Sequence, residues 1–166
     1  TFILRDPKTR KISKSEFNAE SPEWFHNSDI IAYNTFSPEK GLDIHLHDLN
    51  DKKDKLIIDD AGWIHLSVSK DDRLILNPST MRMYNTSNGK LISDIKEKVI
   101  SSLIENGYNL DKRFPGQAGM GTFPLDASFS PDRNEIVFDG AVEKNGKYGI
   151  VLFIINTDGI SLKEVS

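Results

Sequence analysis

Short apolar runs alternate with polar turns along the whole chain, and the alternation repeats. One phrase is a strand, a polar turn and a second strand. It occurs as Ile3-Leu4-Arg5-Asp6-Pro7-Lys8 through Ile12, and as Ile44-His45-Leu46-His47-Asp48-Leu49-Asn50 through Ile57. It returns as Met81-Arg82-Met83-Tyr84-Asn85 through Ile92, and as Phe153-Ile154-Ile155-Asn156-Thr157-Asp158-Gly159 through Val165. A second phrase precedes most copies of the first: Trp24 to Tyr33, His65 to Leu76, and Ala127 to Phe138. Each copy reads as a strand, a tight turn and another strand. Pro131-Asp132 suits the early positions of a type I turn, where Pro presets φ and Asp bonds back to its own backbone. The Ile, Val, Phe and Tyr that follow form a short apolar run, as a buried strand does.

Joined, the two phrases make units of four strands with a period of about 40 residues, the signature of a radial all-β array. The predicted fold is an all-β propeller of roughly three and a half four-stranded blades. A half blade covers 1–17, and blades cover 18–58, 62–96 and 123–166. Propellers close with about four to eight blades. The expectation is therefore a partial ring, either a piece of a longer propeller or one completed by a second copy.

One segment breaks the rhythm. Residues 94–106 place apolar groups at 95, 99, 100, 103 and 104, a helical stripe with Asp94 as its expected N-cap and Asn106-Gly107 as its stop. A glycine-rich run, Phe114 to Gly121, follows. A helix and loop over 94–122 are thus predicted as an insertion between blades, and insertions on repeat scaffolds gather on one face, often the binding face.

Composition narrows the function classes. The formal net charge is −4 and the pI about 5.6, with no basic stripe of the kind nucleic acid demands. Lys52, Lys53 and Lys55 are interleaved with Asp51 and Asp54, as in a solvated turn. With 37% hydrophobic and 28% charged residues, the chain reads as globular, and no apolar run reaches the length of a bilayer span. It lacks cysteine, hence disulfide or thiolate chemistry. It begins at Thr1 without an initiator Met or a leader, as a processed or excised chain does.

Ala127-Ser128-Phe129-Ser130-Pro131-Asp132 with Ile136-Val137-Phe138 resembles the repeat element of TolB-like (PD40, WD40-like) propellers, and Asn156-Thr157-Asp158-Gly159 resembles that repeat's next turn. The likeness is good over 123–166 and looser over 20–58 and 62–92. The family's glycine after Pro-Asp is Arg133 here. The resemblance implies a periplasmic or surface location. It also implies either a protein-interaction module or the gating domain of a prolyl-oligopeptidase-like enzyme.

Candidate chemistry is sparse. Asp43, His45 and His47 share a strand face, and a His-x-His pair can bind a divalent metal, with His26 or His65 as a third ligand. The alternative is that Ile44 and Leu46 face the core while the polar set faces water or a neighbouring sheet. Gly116 to Gly121 lacks the ending of a phosphate-binding loop and reads first as a flexible inter-blade loop; the alternative is a recognition loop, with Phe114, Gln117 and Met120 as its contact residues and Phe123 adding apolar surface. Trp24 and Trp63 could stack a ligand, although the large aromatics (with Phe25, Phe36, Phe129, Phe138 and Tyr148) are first expected to pack between blades. Asp59-Asp60 and Asp71-Asp72 read as solvated turns. There is no nucleophile elbow. A non-catalytic binding module whose partner is another protein or the rest of its own propeller is therefore weighed against part of a propeller enzyme, such as a metal-dependent polysaccharide lyase.

Overall fold

A computed structural model describes residues 3–5, 12–14, 19–37, 41–59, 65–110, 124, 126–132 and 134–165. It opens with a two-stranded hairpin, β1 (Ile3–Arg5) against β2 (Ile12–Lys14). An antiparallel sheet follows, in the spatial order β3 (Ala19–Trp24), β4 (Ile30–Ser37), β5 (Gly41–Asp48), β6 (Lys53–Ile58). The next sheet repeats that order with β7 (Ser67–Val68), β8 (Leu74–Asn77), β9 (Arg82–Asn85) and β10 (Leu91–Asp94). Helix α1 (Lys96–Glu105) and the short β11 (Asn109–Leu110) come before the last sheet, β12 (Ala127–Phe129), β13 (Glu135–Lys144), β14 (Lys147–Asn156) and β15 (Lys163–Glu164). β13 is long enough to pair twice along one edge, with β12 through Ile136 to Phe138 and with β11 through Val142 and Glu143.

The repeated phrases become repeated hydrogen bonds. In the second and third sheets the first turn is closed by a serine. The amides of Ser69 and Ser130 donate to the carbonyls of Leu74 and Glu135, and the amides of Leu74 and Glu135 donate back to Ser69 Oγ and Ser130 Oγ. The Ser69 and Ser130 hydroxyls donate to Asp71 and Asp132 at 2.9 and 2.6 Å. In all three sheets the end of this turn also accepts from the residue just beyond or at the start of the third strand's turn: Asp29 O from Leu49 N, Arg73 O from Thr86 N, Asn134 O from Thr157 N.

Strand side chains alternate between the two faces of a sheet, and where a face meets a neighbouring sheet its side chains are largely apolar. Ala32, Ile44 and Leu46 of the first sheet pack with Val68, Ile75 and Tyr84 of the second. The other face of the second sheet, through Leu76, Met81 and Met83, packs with Ile136, Phe138, Phe153 and Ile155 of the third. The far face of the third sheet stays open: Tyr148, Ile150 and Leu152 are 51%, 64% and 44% exposed.

Helix α1 enters the second of these cores. Ile95, Val99 and Leu103 are fully buried in it, whereas Ile104, part of the predicted stripe, is exposed. The N-cap expectation needs correction. Ile95 holds that position without a side-chain cap. Asp94 ends β10 instead, accepting from Arg82 Nε at 2.8 Å and from the Lys96 amide at 3.3 Å. The Arg82 hydrogen bond is the main cause holding the Asp94 carboxyl below its ordinary value. The stop is as expected: Gly107 N donates to Ile104 O and Tyr108 N to Leu103 O, a paired C-cap. Tyr108 then packs edge-on against Phe153, with centroids 5.1 Å apart.

The glycine of the repeat's second turn shows where the helix sits. Gly89 has φ +69°, and a Cβ there would lie 2.0 Å from the Ile57 carbonyl oxygen of the preceding sheet. Its counterpart Gly159 has φ +82°, and a Cβ there would lie 2.8 Å from Lys98 Cβ on α1. Lys98 Nζ and Ser102 Oγ also donate to the carbonyls of Asp158 and Gly159. The helix thus takes, beside the third sheet, the place that the outer strand β6 takes beside the second.

Gly89→Ala should cost more than the left-handed backbone term of about 1–2 kcal/mol, because β6 must also move. Gly146, at φ +73° with nothing within 4 Å of a Cβ, should show the backbone term alone. Urea unfolding of both alanine variants measures the difference.

Candidate functional site

The first strands of the three sheets approach one another, as innermost strands of radially arranged sheets do. Their turns are tied together. Asp72 occupies a left-handed conformation, φ 62°, at the position where the TolB-like repeat carries glycine. Asp is among the residues that tolerate that region. Its carboxylate reaches across to the first sheet, accepting from the amides of His26 (2.6 Å) and Asn27 (2.8 Å) and from Ser28 Oγ (3.4 Å). Asn27 Nδ2 donates to Lys70 O at 2.5 Å, and His26 Nε2 lies 3.1 Å from Val68 O. Between the second and third sheets, Ser67 Oγ meets Ser128 Oγ at 3.1 Å and accepts from the Phe129 amide at 3.1 Å. Asp71 and Asp72 therefore organise turns and join blades, where the sequence suggested solvated carboxylates.

These strands and turns enclose an open pocket of about 500 Å³, lined by Glu23, His26, Asn27, Lys70, Ser128 and Ser130 among others. Glu23 lies on β3 opposite Ala32, so it faces the second sheet. It is half-buried, and desolvation pushes its carboxyl above the ordinary value, opposed only by the charge of His26. Among the described residues His26, Asn27, Ser128 and Ser130 each have a hydrogen-bond partner within the protein. A desolvated carboxylate in a polar cleft marks a candidate binding site.

The predicted metal pair lies elsewhere. His45 and His47 stand on one face of β5, as the alternation required, with Leu42, Ile44 and Leu46 buried on the other. Both imidazoles turn to Asp54 on β6: His45 Nδ1 is 2.8 Å from Oδ2, and His47 Nδ1 is 3.6 Å from Oδ1. Tyr33 Oη donates to Asp54 Oδ1 at 2.5 Å, and the Tyr33 ring stacks on His45. Burial first, then the bond to Asp54, pushes the Tyr33 hydroxyl well above its ordinary range. Neither His26 nor His65 joins them, and no group of three or more His, Asp or Glu side chains among the described residues is arranged to hold a metal ion.

Of the other expected site residues, Trp63, Phe114, Gln117 and Met120 lie outside the described residues. Trp24 is 48% exposed, so interblade packing does not explain it; Phe36 and Tyr148 depart from that expectation in the same way. Phe25 and Phe138 are buried as expected. Sequence reasoning passed over Glu23, Asn27, Lys70 and Asp54. For Glu23 a signal existed, since it shares parity with Phe25 and so falls at a core-facing position.

No protein-family model matches the sequence, and no curated protein matches it. Solved structures do match. "Oligogalacturonate lyase in complex with manganese" superposes with a TM-score of 0.61 at 16% identity, over 90% of this chain and 40% of that one. The β-propeller domain of the trilobed protease from Pyrococcus furiosus gives 0.61 at 16% identity, over 99% and 48%. An acylaminoacyl peptidase in complex with a chloromethyl ketone gives 0.59 at 10% identity, over 99% and 27%. The chain spans less than half the length of each. These likenesses establish the class: the protein is a β-propeller arc, the fold that the TolB-like repeat implied. Among the described residues no helix is long and apolar enough to cross a membrane.

Asp72→Ala removes three hydrogen bonds to a neighbouring blade and should lower stability by about 1–3 kcal/mol in urea unfolding. Glu23 titrates with a raised folded-state pKa. Stability therefore falls as pH rises from the unfolded-state pKa through that raised value. Glu23→Gln should abolish this decline, so its melting-temperature advantage over wild type should grow between about pH 4 and pH 7.

Proposed function

We propose that this chain is a non-catalytic binding module of TolB-like propeller type that recognises a protein or peptide partner. The observation that supports it most is the pocket at the inner strands. Three consecutive blades contribute to its walls, and hydrogen bonds between their turns and first strands hold those walls in place, which lowers the ordering cost of binding. The 94–122 insertion has a smaller share in this reading than its sequence suggested, because the inner face of α1 is committed to the core. The open apolar face at Tyr148, Ile150 and Leu152 belongs to the same reading. Its counterparts Leu76 and Met83 are covered by the next blade, so a further blade, from the remainder of a propeller or a second copy, is the partner that fits it.

Backbone amide NMR with a peptide library tests the module. Binders should shift Asn27, Lys70 and Ser128, and Lys70→Glu should change their affinity about ten-fold. Shifts confined to residues bordering 111–123 would move recognition to the insertion. A second reading, part of a propeller enzyme, draws on the Tyr33–Asp54–His45–His47 cluster and the likeness to a manganese-bound lyase. Manganese-dependent cleavage of oligogalacturonate that is lost in His45→Ala would replace the first reading with this one.

A further inference from the structure

We propose that the inner-strand pocket recognises a primary ammonium group, such as the free amino terminus of a peptide, through the Glu23 carboxylate. This rests on the reading of that pocket as the binding site. The pocket's hydrogen-bonding inventory carries the argument. Several of its donors are spent within the protein: Asn27 Nδ2 on Lys70 O, Ser130 Oγ on Asp132, and one of the Ser67 and Ser128 hydroxyls on the other. Among the described residues no hydrogen bond reaches Glu23, and its one named charge partner is His26, although it is half-buried and lines the cavity. Among the described residues, the walls therefore bring no hydrogen-bond donor to the Glu23 carboxylate. Partial desolvation of a carboxylate that no donor bonds costs free energy, and a ligand that supplies N–H groups and a positive charge offsets that cost.

Other ligand chemistries fit less well. An anionic group would meet Glu23 at close range. Among the described residues Lys70 is the one lysine or arginine in the lining, and its exposed ammonium sits in water, where its repulsion of a bound ammonium is screened. A divalent cation needs several oxygen ligands, and no group of three His, Asp or Glu side chains among the described residues can supply them. An ammonium needs one anion and a few acceptors. A peptide amino terminus supplies three N–H donors and can continue past the exposed Asn27 and Ser128.

The experiment titrates the intact protein with two probes, triglycine amide and its N-acetylated form, followed by amide NMR. The free-amine peptide should bind at least about ten-fold more tightly than the acetylated one at neutral pH. Glu23→Gln should remove that advantage without unfolding the protein. In wild type the same advantage should vanish as acidification protonates Glu23, an arm that needs no variant. Equal affinity for both probes, or an advantage that survives Glu23→Gln, overturns the ammonium assignment while leaving the pocket as a binding site. Absence of pocket shifts with either probe overturns both readings.

Discussion

A four-stranded sheet with apolar side chains on both faces cannot be stable alone; each face needs a neighbour. The second sheet shows the constraint most directly. Ile75 and Leu76 are adjacent in sequence, both are completely buried, and they point to opposite sides into two different cores. Burying each side chain removes it from water at a gain of about 1.5–3 kcal/mol, which neither sheet could realise without the other. Radial stacking is the arrangement that satisfies this requirement for every interior blade. It also dictates that the first strands converge, and the pocket lies where they converge.

How much of this was legible in the sequence depended on the kind of contact. Contacts within a repeat were legible. The Ser-Pro-Asp phrase at 130–132 and its disguised copy Ser69-Lys70-Asp71 close the same turn with the same bonds. Alternation along β5 placed His45 and His47 on one face correctly. Contacts between repeats were not legible. Asp54 meets both histidines only through the β5–β6 register, which shifts between Ile44 and His45. Glu23 was legible only as a core-facing position, through its parity with Phe25; the irregularity between Glu20 and Glu23 in β3 interrupts the alternation on its other side. Asp72 looked like half of a solvated pair because nothing local to it names its partner, 44 to 46 residues away.

The helix illustrates the same boundary. Its apolar stripe was visible, and so was its termination. Its destination was not, since a helical stripe says only that something covers it. The close approach of Gly159 to Lys98 and Ile95 shows the cover to be the last blade's own turn. An element that interrupts the repeat in sequence therefore continues it in space, filling the outer margin of an interblade seam.

An array of look-alike blades carries a hazard of its own: during folding, any blade can stack against the wrong sibling and still bury apolar surface. Shape and hydrophobicity discriminate poorly among such siblings. The carboxylate of Asp72 does discriminate. In the third blade the corresponding residue is Arg133, whose side chain has no anionic acceptor to offer the same amides. The hydrogen bonds to the His26–Ser28 turn therefore work as an address label. Together with the bond from Asn27 Nδ2 to Lys70 O, they distinguish the seam between the first and second blades from the seam between the second and third.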